Sequence, residues 1–187
     1  GSAQHLGGLQ VPPEFEGARR AMLAAAGGAL HAKGVVLPTT GDQEEQRKCL
    51  QSCLRLFTRA LLGGVSVNVL LDDGRTRLAE ARLDSELSHL VLHVPHAQHP
   101  VALRCIEAVA AGEANSLDHA HRHANNSTFP SDCCATLIIQ GGQFLTFVFE
   151  SARSREYFEM CLKVIILASD RHAPQPPPAP RRAAPSA

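Results

Sequence analysis

Residues 133–169 read CCATLIIQGGQFLTFVFESARSREYFEMCLKVIILAS. Cys134 to Ile139 is a short apolar run containing β-branched residues, and Gly141-Gly142 closes it. Phe144 to Phe149 is a second run. Two such runs around a Gly-Gly pair predict a β-hairpin, because tight hairpin turns need residues that accept positive φ. Ser151 then serves as a helix N-cap, and the 18 residues behind it keep a helical pattern.

That helix carries two apolar stripes. At about 100° per residue, Phe158, Leu162 and Ile165 share one face, with Cys161 and Ile166 at its edges. This face is expected to plug a barrel. Tyr157, Met160, Val164 and Leu167 form a second stripe nearly opposite. Glu156, Glu159, Lys163 and Asp170 make a narrow polar strip between them. A helix that only plugs a sheet needs one apolar face. The second stripe either packs on the chain's own helix at 43–62 or is a partner-binding or self-association surface, and the sequence leaves both open.

Working outward, Val65 to Leu71 alternates, with Val65, Val67, Val69 and Leu71 on one side. Asp72-Asp73-Gly74 is a turn signal, and Arg75 to Leu83 reads as a second strand carrying Arg77, Glu80 and Arg82. Ser88 to Val94 is a third strand, with Leu90, Leu92 and Val94 inward and His89 and His93 outward. Pro95 to Pro100 reads as a loop, Val101 to Val109 as a fourth strand and residues 110–132 as a long loop. A further strand is expected near Gly112 to Leu117. Ahead of the strands, Asp42 to Leu62 forms an amphipathic helix with Leu50, Leu54, Phe57 and Leu61 on one face, ended by Gly63-Gly64. Strands and helices do not alternate, which excludes a parallel α/β sheet. The expected fold is mainly β with helices: an antiparallel barrel or sandwich capped by a C-terminal helix, with an additional N-terminal helix.

One domain is expected over residues 42–170. Residues 1–41 read as a flexible arm in which Arg19 to Ala26 could form a helical turn or two, with Gly27-Gly28 and Pro38 interrupting any continuation. Residues 171–187 read as a disordered Pro-rich tail. Gly1-Ser2 resembles an expression scar, so the natural N-terminus is expected to be missing.

The chain has 187 residues, 44% of them hydrophobic, with formal net charge zero, so it has a core but no basic footprint for nucleic acid. No run of about 18 apolar residues predicts a membrane span. Six cysteines without framework spacing read as reduced thiols of a cytosolic protein.

Chemistry-bearing groups are sparse. Arg75 and Arg77, helped by Arg82, are the alternative lipid-binding residues, since arginines around a first hairpin can hold phosphates. Asp72 and Asp73 at the same turn oppose that reading, and no Lys lies between positions 48 and 163. Weak or no phosphoinositide binding follows. His89, His93, His96 and His99, and the alternating His119, His121 and His123, lack the convergence a zinc site needs. Cys105 or Cys133-Cys134 with a histidine could form a thiol dyad, but nothing orients the pair. Neither catalytic residues nor metal or cofactor ligands are predicted, and the chain reads as non-enzymatic.

Three pieces carry a resemblance. Val65–Leu71, DDG and Arg75–Leu83 resemble the first hairpin of a pleckstrin-homology (PH) domain. Cys105 to Glu113 resembles the end of the fourth strand in phospholipase-type PH domains, and Phe144–Phe149 with Ser154-Arg155-Glu156-Tyr157-Phe158 resembles the last strand and helix. More narrowly, the helix before the sheet, V-x-L-L-D-D-G and F-x-F-E-S-x-R-x-R-E-Y-F resemble the inner-membrane-complex sub-compartment proteins (ISPs) of apicomplexan parasites. The resemblance implies a small lipoprotein, acylated with myristate and palmitate at an N-terminal Gly and Cys, that organises flattened sacs beneath the plasma membrane without catalysing. It would be a peripheral membrane protein on the cytoplasmic side, bound to protein partners of the inner membrane complex. This sequence lacks the acceptor motif, so the anchor is implied by the resemblance alone.

Overall fold

Ser151 Oγ accepts the Ser154 N–H at 3.1 Å and starts the C-terminal helix. In the computed structural model, which describes residues 8–27, 40–71, 73–111 and 131–171, that helix runs Ala152–Arg171. Among the described residues two helices precede the strands: α1, Phe15–Gly27, and α2, Thr40–Gly63. The C-terminal helix is α3 here. Seven described strands lie between α2 and α3. They are β1 (Val65–Leu70), β2 (Thr76–Leu83), β3 (His89–Val94), β4 (Ala97–Ala102), β5 (Ile106–Ala111), β6 (Cys134–Ile139) and β7 (Gln143–Val148).

The strands form one antiparallel sheet in the order β4-β3-β2-β1-β7-β6-β5. With α3 packed on β5 and β6, this is a PH-like fold. The sheet is not closed: among the described residues β4 and β5, its two ends, do not pair. The barrel expectation is corrected to that extent. Alternation sets the inner face. Val65, Val67 and Val69 on β1, Ala79, Ala81 and Leu83 on β2, and Leu90 and Leu92 on β3 are all buried. Ala135, Leu137 and Phe147 continue that face, and Phe158, Leu162 and Ile165 of α3 close over it. The β6–β7 turn uses Gly141 and Gly142 at φ of 86° and 75°, the left-handed region that favours glycine.

Two strand expectations are corrected. Pro95 to Pro100 is not a loop. Pro95 and His96 make a two-residue turn, and Ala97–Ala102 pairs with β3 in the register Val94↔Ala97 to His89↔Ala102. Residues flanking a two-residue turn exchange hydrogen bonds, and bonded and non-bonded pairs then alternate. Pro100, opposite Val91, falls on a non-bonded pair, so its missing N–H faces the sheet's free edge and costs no ladder bond. The expected fourth strand is split by a 3-10 turn at Leu103–Cys105, and its second half is β5. The fifth strand is thus Ile106–Ala111, before the position expected for it; residues 112–130 lie outside the described residues.

The arm expectation is corrected for residues 8–27. Pro12 accepts the Phe15 N–H at 3.1 Å, α1 follows, and Phe15 and Ala18 are buried. Phe15, Ala18 and Met22 recur at helical spacing, enough to dock a short helix that offers few large side chains. The rest of the arm, and the tail beyond Arg171, lie outside the described residues. No helix among them is long and apolar enough to cross a membrane.

One carboxylate builds the β2–β3 turn. Asp84 Oδ1 accepts the Ser88 and His89 N–H groups at 2.6 and 3.0 Å, and Oδ2 accepts the Ser88 hydroxyl at 2.5 Å. These bonds hold Leu87 at a φ of 53°, and Leu87 O accepts the Ser169 hydroxyl of α3 at 3.3 Å. Burial pushes the Asp84 carboxyl up, but the bonds from Ser88 and His89 outweigh it and bring it down to about 2. Its folded pKa is below that of the unfolded chain, so its contribution is complete above about pH 4 and lost as pH falls through about 2. Asp84→Ala should lower stability by about 1–3 kcal/mol at neutral pH. In urea unfolding, the gap from wild type should shrink between pH 4 and pH 2; a gap independent of pH would contradict this role.

Candidate functional site

The second stripe of α3 is divided along its length. Tyr157 is 1% exposed and is not on a free surface. Its ring meets Phe15 of α1 edge-on at 5.4 Å and Phe57 of α2 at 5.6 Å. Its hydroxyl donates to Cys53 O at 3.1 Å. Burial pushes that hydroxyl's pKa up, with Cys161, Cys53 and Glu14 adding to it. Met160 is also buried, Val164 is half-buried, and Leu167 is 59% exposed. Helix packing thus claims the N-terminal part of the stripe, and only Val164 and Leu167 reach the surface.

The cover over Tyr157 is α2, the packing expected for this stripe, together with α1, which the sequence reading missed. The signal was the spacing of Phe15, Ala18 and Met22, hidden among Gly, Pro and Ala. Two ion pairs flank the contact: Arg19 Nε to Glu156 Oε2 at 3.2 Å and Arg153 Nη2 to Glu16 Oε1 at 3.5 Å. Each partner is a third to a half exposed, so each pair adds about 0–1 kcal/mol. Against α2 the approach is close: a Cβ on Gly17 would lie 2.7 Å from Cys49 Sγ. On the polar strip, Glu159 binds both Arg155 at 2.7 Å and Lys163 at 2.5 Å. Arg155 also donates to Asp132 O at 3.0 Å, fixing the approach to β6.

At the first hairpin, Asp73 occupies Arg75. Nε and Nη2 of Arg75 lie 2.7 and 2.5 Å from Asp73 Oδ2, and the Arg75 N–H donates to Oδ1 at 3.0 Å. The Arg75 side-chain hydrogen bond, chiefly, lowers the Asp73 pKa, and Asp73 raises that of Arg75. Arg82 bridges Glu80 and Gly63 O, both at 3.2 Å. Arg77 is exposed on β2 opposite Val69. The structure does not gather these three into one cup: two are held by acidic neighbours. Asp72 lies outside the described residues.

Ser88, His89 and Asp84 meet, but as a turn, not as a nucleophile and base. The Ser88 hydroxyl donates to Asp84, and the same His89 Nδ1 faces both, at 2.7 Å from Ser88 Oγ and 3.2 Å from Asp84 Oδ2. Among the described residues no three His, Cys, Asp or Glu side chains converge on a metal position; His119, His121 and His123 lie outside them. All six cysteines are free thiols. Burial pushes Cys53 up to about 11 and raises Cys133, Cys134 and Cys161 as well. Such thiols are poor nucleophiles at neutral pH.

No family model matches the chain, and no curated protein matches it. Solved structures do. Inner membrane complex sub-compartment protein 1 of Toxoplasma gondii overlays with a TM-score of 0.51 at 16% identity, covering 73% of this chain and 99% of that one. Sub-compartment protein 3 of the same organism gives 0.49 at 16% identity over 64% and 87%. The PH domain from TgAPH gives 0.40 at 12% identity over 62% and 89%. The first overlay shows a shared fold.

The Tyr157 junction sets a graded expectation. Tyr157→Phe removes only the bond to Cys53 O and should cost about 0.5–1.5 kcal/mol. Tyr157→Ala also empties the space between Phe15 and Phe57 and should cost about 3–5 kcal/mol. Denaturant unfolding measures both; equal, small losses would mean that α1 does not cover this ring.

Proposed function

We propose that this chain is a non-catalytic PH-like protein–protein interaction module, held at a membrane by acyl groups and serving as a scaffold of the inner membrane complex. The observation that carries the reading is the pairing of Arg75 with Asp73 and of Arg82 with Glu80 at the first hairpin. Asp73 already holds one edge of the Arg75 guanidinium, Nε and Nη2, which weakens its pull on a phosphate. An anionic membrane attracts a basic side chain with about 1 kcal/mol, and one or two such residues do not hold a domain there. Attachment then needs lipid chains. The overlay on sub-compartment protein 1 supports the same module, and the resemblance of the hairpin and the FxFESxRxREYF ending points to the same compartment.

The surface left for protein partners on α3 is Leu167 with Val164. Its partners would be proteins of the inner membrane complex, gripped by an apolar patch at the C-terminal end of α3. Localisation to the cytoplasmic face of the membrane would follow the anchor, and placement within it would follow this patch.

Flotation with vesicles separates this reading from the lipid-binding alternative. The unacylated chain should stay with the soluble fraction whether or not the vesicles contain phosphoinositide. In the acylated protein, Val164→Glu with Leu167→Glu should leave membrane attachment intact and abolish sub-compartment placement. Micromolar binding to phosphoinositide vesicles that Arg75→Ala and Arg77→Ala remove would replace the scaffold reading with a lipid reader.

A further inference from the structure

The outer face of α2 carries a row of cations that the fold does not use. At about 100° per residue, Lys48, Arg55 and Arg59 fall within about 20° of one line along the helix, opposite the buried Phe57. All three are exposed. At about 1.5 Å per residue the row is about 16 Å long. Leu56 and Leu62 flank it on either side, 45% and 42% exposed. From Gln46 to Gly63 the helix has no Asp or Glu; Asp42, Glu44 and Glu45 all sit near its start. Pairing does not account for the row. Arg19, Arg75, Arg82, Arg153, Arg155 and Lys163 each hold a carboxylate. Among the described residues Lys48, Arg55 and Arg59 hold none. Glu44, one turn before Lys48, is taken by Arg47 at 3.1 Å. Arg55 and Arg59 stand one turn apart, a like-charge spacing that weakens a helix. Nor does the row serve the helix dipole, because the last turn, where a cation would meet the free carbonyls, has no basic residue.

We propose that the outer face of α2 lies against a bilayer bearing anionic headgroups, and that this contact fixes how the tethered domain is turned on its membrane. Charged interfaces between proteins set both signs against each other, which fixes register. This face has one sign, in a straight and open row, with apolar side chains at its margins. A lipid leaflet is the complementary surface: a plane of one sign over an acyl layer, which helices carrying basic residues and leucine meet side-on. The contact is with charge density and not with a single headgroup, so it needs no phosphate cup at the first hairpin. Attachment through a lipid chain rests on the reading above. Each cation near an anionic surface strengthens binding only about fivefold, and three give about a hundredfold, enough to orient an anchored chain and too little to hold a free one.

The test uses the full chain with one myristoyl group coupled to its N-terminal amine, so that the tether does not depend on any natural anchor. One such group gives marginal, reversible binding, which leaves the contribution of the row visible. Sedimentation compares vesicles of phosphatidylcholine alone with vesicles in which about a third of the lipid is phosphatidylserine. Binding to the second should be about a hundredfold tighter, and raising the salt should remove the preference. Lys48→Gln with Arg55→Gln and Arg59→Gln should lower binding to the anionic vesicles about a hundredfold and leave binding to phosphatidylcholine unchanged. Arg55→Gln alone should cost about fivefold there, whereas Arg104→Gln, at an exposed cation off α2, should cost less than about twofold. A preference for phosphatidylserine that the triple variant keeps would overturn the row as its cause. No preference in the wild type would overturn the bilayer as the partner, and binding of wild type but not the triple variant to an oligo-glutamate peptide would then give the row to an acidic protein segment. None of these outcomes bears on Val164 and Leu167, where the module reading is decided.

Discussion

Tyr157 and Phe158 are neighbours in sequence and point into different layers. Phe158 reaches the sheet, 5.2 Å from Phe147 and 5.0 Å from Phe149, and also touches Phe57 at 5.8 Å. Tyr157 reaches the helices and lies between Phe15 and Phe57. Phe57 is thus shared by both. The chain has seven Phe, one Tyr and no Trp, and this junction uses five of those Phe and the Tyr. A small domain with few aromatic residues has concentrated them where α1, α2, α3 and the last strand meet. Without the junction, α3 would still plug the sheet, but α2 and α1 would lose the surface that orders them.

This arrangement decides what the module can present. At the first hairpin Asp73 and Glu80 hold Arg75 and Arg82, and Arg77 stays exposed. The capping helix is sheathed over Tyr157 and Met160 and bare at Leu167. What α3 leaves on the surface of the second stripe is an apolar end, Leu167 with Val164. The raised thiols and the turn-bound Ser88–His89–Asp84 group belong to packing and to loop geometry.

Much of this was legible. The β6–β7 hairpin around Gly141-Gly142, the cap at Ser151 and the inward face of α3 follow from local rules of turn, cap and period. The stripe at Tyr157 was visible as apolar and α2 as one possible cover for it, but the second cover, α1, was not, since helix period says which face must be buried and not by what. The helix that covers it was hidden because one aromatic and two small residues suffice to dock a short helix, and composition alone reads that stretch as an arm. β4 was hidden by Pro100, a residue excluded from central strands and harmless on an edge. At the hairpin, adjacent Arg and Asp predicted repulsion of phosphate; the pairing of Asp73 with Arg75 itself needed coordinates.

The most direct measurement is a double-mutant cycle in urea between Phe57→Leu and Phe158→Leu. If one aromatic junction joins the helical layer to the sheet, the two losses should be non-additive by about 0.5–1.5 kcal/mol, the coupling of an aromatic pair. Strict additivity would mean that α2 packs independently of α3, and the account of a junction on which the rest depends would fail.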